Sequence, residues 1–209
     1  MRIILTSNSS LLPRIKSILL TLLFIGAAVF SVAPVLPVTG GVIVQDAPDT
    51  QTELPRLVDF SRQVHNGDPG QVVGLYVPSI IASPVVAQPA DQPSYVSTRE
   101  DVVTKFGMAD SYGSLGFLAH NTLAGSLFDE LEMGNLVHVI YGDGDIALYA
   151  VRSILRFQAI EPLNPYSNFI DEQSGALLTG SDLFFQTYGV PGQLTLQTCI
   201  SAGGSDSWG

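Results

Sequence analysis

The chain has 209 residues and a formal net charge of −10, with charged residues making up only 13% of it. Its nine Lys and Arg are scattered, three of them before residue 17, so no basic patch exists to neutralise phosphates and nucleic acid is excluded as a partner. One cysteine, Cys199, excludes an intramolecular disulfide, and the length suits one domain with an appendage.

Residues 1–16 carry Arg2, Arg14 and Lys16, and no charge follows from Ser17 to Gln45. Crossing a bilayer takes roughly 20 apolar residues, so residues 17–44 read as a transmembrane anchor or a signal segment. Asp46, Asp49 and Glu53 come next. The positive-inside rule then puts residues 1–16 in the cytoplasm and everything after the span outside the cell membrane, a single-pass topology. "SVA" at 31–33 resembles a signal-peptidase site. Pro34 directly after it hinders cleavage and the apolar run continues, so a retained anchor is the expectation.

Residues 45–70 are acidic and polar, with Pro48, Pro55 and Pro69, and read as a stalk holding a short helix around Leu57 to Val64. From residue 71 to 209 the texture is that of a folded domain. "VVGLYVPSIIASPVV" is β-branched and broken by Pro78 and Pro84, which predicts two short strands. In "STREDVVTKFG", Ser97 or Thr98 can cap a short helix whose first turn holds Glu100 and Asp101 and which stops at Gly107. "GSLGFLAHN" reads as a buried strand ending in a polar pair. "TLAGSLFDELEMG" puts Leu123, Leu127, Phe128 and Leu131 on one helical face up to Gly134. Two strands follow, "NLVHVIY" and "IALYAVRSILRFQAI", joined by the turn "GDGD" at 142–145. "SDLFFQTYG" offers a capped helical turn and "QLTLQTCI" alternates as a strand. Many short strands with a few short helices indicate a mainly β barrel or sandwich.

Cys199 ends a strand and precedes the small-residue stretch "ISAGGSDSWG", where a thiol can reach a substrate. On spacing alone it reads as a buried structural cysteine. A nucleophilic cysteine needs a histidine as base or as the cation of a thiolate pair. His65 lies in the polar stretch, solvated, and His138 is a strand-face residue. His120 ends an apolar strand beside Asn121, where side chains converge on a cleft or where a structural histidine is satisfied. Asn121 either orients His120 or caps the following helix. Asp129, Glu130, Glu132, Asp143 and Asp145 lack the spacing of a calcium loop and read as solvated surface, so no metal or other cofactor is expected.

"LTLQTC" at 194–199 resembles the Thr-Leu-any-Thr-Cys signature of sortases, in which the nucleophile comes last. "FLAHNTLAGSLFDELEMGNLVHVIYGDG" is similar to the segment that brings the catalytic histidine in that family, and "LYVPSIIASPVV" to its first strand pair. The likeness runs from about Val72 to the end. It implies a sortase-like closed β-barrel with short helices behind an N-terminal transmembrane helix, and a cysteine transpeptidase or hydrolase. Cys199 would form a thioacyl intermediate with the sorting-signal peptide of a surface protein. His120 would protonate the leaving amine and activate the acceptor amine of a cell-wall precursor or a protein lysine. The family's third residue is an arginine on the strand after the cysteine, and no Lys or Arg follows Cys199 here. Arg152 and Arg156 read as solvated strand-face charges. The domain is therefore expected to lack its last strand, as a fragment would or as an inactive relative that only binds. "LPVTGG" at 36–41 matches the pentapeptide that sortases cut, but it follows the apolar span instead of preceding it, so it fails as a sorting signal and reads as an extended exit from the membrane.

Overall fold

The computed structural model describes residues 2–8, 54–162, 164, 166–202 and 205–207, which lie in one compact unit. The expected span at 17–44, "LPVTGG" and the first part of the stalk fall outside the described residues. Among the described residues no helix is long and apolar enough to cross a membrane.

The protein is mainly β, with one large sheet and short helices. Strand β1 is Arg2–Asn8, followed in the chain by helix α1 (Leu57–Val64) and strands β2 (Val72–Val77), β3 (Ile81–Ala87) and β4 (Val103–Lys105). Helix α2 (Gly107–Asp110), β5 (Leu115–Ala119), a 3-10 helix (Ala124–Glu130), β6 (Leu136–Tyr141) and β7 (Ile146–Ala159) come next. The chain then forms β8 (Phe169–Asp171), β9 (Leu177–Leu178), α3 (Gly180–Tyr188), β10 (Gln193–Thr198) and a hairpin of β11 (Ile200–Ala202) and β12 (Ser205–Ser207).

Strands β2 to β10 form a sheet in the order β10-β5-β4-β3-β2-β6-β7-β8-β9. These nine strands do not close by themselves into the expected barrel. The additional strand β1 runs antiparallel to β10 and also antiparallel to β7. The main core is apolar and lies on one face of the sheet, where Leu75, Ile81, Val103, Phe117, Phe128, Val137, Val139, Leu194 and Leu196 are all buried. A smaller cluster of Phe157, Ala159, Phe169 and Leu183 packs the far end of β7 against α3.

Three local expectations change. The segment read as a helix from Ser97 to Gly107 forms a turn and then β4, because Val102 and Val103 are both buried and β4 pairs parallel with β3 and antiparallel with β5. The helix begins where it was expected to stop, at Gly107. The segment after His120 forms a 3-10 helix instead of an α-helix. Gly125, Phe128 and Leu131 are buried at a spacing of three, the repeat of a 3-10 turn. Finally, α1 lies where the helix in the stalk was expected but does not stand in solvent. Phe60 is buried with Val73, Tyr76 and Ile140, so residues 57–64 belong to the folded body. Gly74 admits this helix, since a Cβ there would meet Phe60 and Val64 at 3.1 Å.

Candidate functional site

The two strands that carry the candidate residues are neighbours. β10 and β5 pair in parallel, from Leu194 opposite Leu115 to Thr198 opposite Ala119. Cys199 and His120 are each the next residue, so both leave the sheet at the same level from strands about 4.8 Å apart. Both are half-buried. Parallel pairing is what brings them together: over a separation of 79 residues, one strand end delivers a thiol and its neighbour an imidazole.

Several bonds hold these strand ends in place. The buried Thr198 hydroxyl donates to the Ala119 carbonyl at 3.0 Å, tying the last residue of β10 to the last of β5. The backbone N–H groups of Leu123 and Gly125 both donate to the His120 carbonyl at 3.0 Å, which fixes the turn leaving β5. The 3-10 helix approaches so closely that a Cβ on Gly125 would stand 2.6 Å from the His120 carbonyl oxygen and 2.7 Å from that of Ala119.

Farther back, α3 clamps the same two strands. Thr179 accepts from the Asp182 N–H, and the Asp182 carboxylate accepts in return from the Thr179 N–H, a reciprocal cap that starts the helix. The carbonyls at its C-terminal end would be left unpaired by the helix itself. Thr187 O accepts from Gln193 Nε2 at 2.6 Å and from the Thr195 hydroxyl, and Tyr188 O accepts from the Ser114 hydroxyl at 2.6 Å. The Tyr188 hydroxyl donates to Gln197 Oε1 at 2.6 Å, and burial pushes its pKa far up, so it remains a donor.

The other candidates lie apart. His65 is exposed just after α1. His138 sits on β6 opposite Tyr76 of β2, with the two rings edge to face at 5.8 Å. Burial lowers its pKa, partly offset by a hydrogen bond with the Tyr76 backbone. Arg152 and Arg156 are exposed on β7. Asn121 is half-buried and lies two residues before Leu123, which occupies the N-cap of the 3-10 helix. Asp129, Glu130, Glu132, Asp143 and Asp145 are all exposed, and among the described residues no three His, Cys, Asp or Glu converge as a metal site. Clefts lined by Asp68, Gln71 and Lys105, and by Arg156, Glu172 and Gln173, include neither Cys199 nor His120.

One neighbour of the site escaped the sequence reading. The register of β1 puts Arg2 opposite Thr198 on one side and opposite Arg156 on the other, next in line to Cys199. The short apolar, β-branched run in "RIILTSN" is a usable strand signal, masked by its place in the basic flank of the expected membrane span. Comparison of the chain with protein-family models, with curated proteins and with solved structures finds no match.

Proposed function

We propose that this protein is a sortase-like cysteine transpeptidase, with Cys199 as nucleophile and His120 as acid and base, on a sortase-like barrel. The observation that carries the reading is the parallel register of β10 and β5, which sets Cys199 and His120 at adjoining strand ends. The Cys199 sulfur adds to the carbonyl carbon of the scissile peptide bond in a sorting-signal peptide. The C–N bond then breaks, with the amine leaving on a proton from His120 and a thioester remaining on Cys199. An acceptor amine, from a wall precursor or a protein lysine, gives a proton to His120 as its nitrogen bonds to the thioester carbon, and the C–S bond breaks to release the Cys199 thiolate beside the protonated His120. A binding role without cleavage is the second reading.

The test incubates the full chain with peptides of the Leu-Pro-any-Thr-Gly pattern and a small amine, followed by intact-protein mass spectrometry. A hydroxylamine-labile adduct on Cys199, lost in Cys199→Ala, supports the transpeptidase. His120→Ala should slow transfer by about 10²- to 10⁴-fold. Peptide binding that is unaffected by Cys199→Ala, with no adduct on the native chain, supports the binding role instead.

A further inference from the structure

β10 is paired on one side by β5, and β7 is paired on one side by β6 along Ile146–Ala150. Without β1, the other sides of both strands would present rows of unpaired N–H and C=O groups. Such edges are templates for another strand. The space between them is one strand wide, since Arg2–Asn8 pairs with both: Ile4 stands opposite Leu196 and Ile154, and Ser7 opposite Gln193 and Ala150. The pairing tolerates an irregularity on the β7 side, where the register shifts between Leu5 and Thr6.

We propose that this gap is a strand-receiving site, that Arg2–Asn8 is its removable occupant, and that the same segment of a second copy of the chain can take the place in trans. One feature of the chain favours exchange. The occupant joins the body only through residues 9–53, a connection long enough for a strand to leave and another to enter without disturbing the other nine. Recognition rests on main-chain pairing along both edges, so the ligand class is an extended segment without Pro. A seated strand runs antiparallel to β10 and brings its Arg2 end to the residue before Cys199.

The experiment uses the full chain in detergent and a fluorescein-labelled synthetic peptide of residues 1–11. Ile4→Pro in the chain removes an N–H and expels its own strand. Saturable anisotropy with the Ile4→Pro chain, at least ten times tighter than with the unaltered chain and absent for a peptide that itself carries Ile4→Pro, is the expected result. Equal affinity for both chains, or no binding by an Ile4→Pro chain that circular dichroism shows to be folded, overturns the proposal. Should that variant not fold, exchange into the native fold decides. A Cys199→Ser chain takes up the peptide over hours, and a Ser7→Cys/Ala150→Cys disulfide in that background abolishes uptake. No uptake by the Cys199→Ser chain, or uptake undiminished by the disulfide, overturns it. The readout is binding alone and does not depend on transpeptidase activity.

Discussion

Gly125→Ala tests whether the strand ends that carry Cys199 and His120 are held as described. The added Cβ would lie 2.6 Å from the His120 carbonyl oxygen and 2.7 Å from that of Ala119, and closer still to the Thr198 hydroxyl. Ordinary carbon–oxygen contact begins near 3.4 Å, so two backbone groups must retreat by several tenths of an ångström. Overpacking of this kind costs about 1–3 kcal/mol. The shift also weakens the Thr198 hydroxyl bond to Ala119 and the Gly125 N–H bond to His120, each contributing about 1 kcal/mol. A total of about 2–5 kcal/mol follows, which in a domain of this size lowers Tm by roughly 5–15 °C. Urea and thermal unfolding followed by far-UV circular dichroism measure it, with the exposed Ser126→Ala as a control within about 0.5 kcal/mol of the parent. Alkylation of Cys199 by iodoacetamide should change in rate for Gly125→Ala alone. If Gly125→Ala unfolds with the parent and its thiol reacts at the same rate, the 3-10 helix does not press on the strand ends and the account of the site is wrong.

Other outcomes follow from the packing. Phe60→Ala removes the buried anchor of α1 and should lower stability by about 3–5 kcal/mol, read from urea denaturation. An unchanged midpoint would mean that the helix is not docked on the sheet. Tyr188→Phe leaves Gln197 without its donor and should cost about 1 kcal/mol in the same assay. The lowered pKa of His138 means that the unfolded chain binds a proton more readily than the folded one below the ordinary value of 6.5. Stability contributed by this residue is therefore complete above pH 6.5 and is lost as the pH falls toward its folded pKa. Urea midpoints measured from about pH 8 to about pH 5 should decline less steeply in His138→Phe than in the parent, and identical slopes would refute the assignment.

Local pattern in the sequence determined most of the elements. Short runs of apolar and β-branched residues marked β2, β3, β5, β6, β7 and β10, and a short helix was expected at the residues that α1 occupies. The chemistry was legible as residue types, because one thiol and three imidazoles leave few pairs to consider. Which histidine lies beside the Cys199 strand end was not legible from spacing, since His120 and His138 both lie on or beside strands. The tertiary structure puts His120 at the adjoining strand end by pairing β10 with β5, and sets His138 elsewhere by pairing β6 with β2, a choice made across many residues by which faces bury together.

Where local signals failed, a long-range partner had overridden them. The capping pattern at Ser97 and Glu100 yielded to the burial of Val102 and Val103 between two strands, and an apparent α-helical face yielded to a glycine wedged against β5 and β10. β1 is the extreme case. Seven residues near the N-terminus obtain their hydrogen-bond partners from strands about 140 to 200 positions away. Backbone groups are alike in every residue, so a sequence discloses a strand's two faces through its side chains but not the edges to which its main chain will bond.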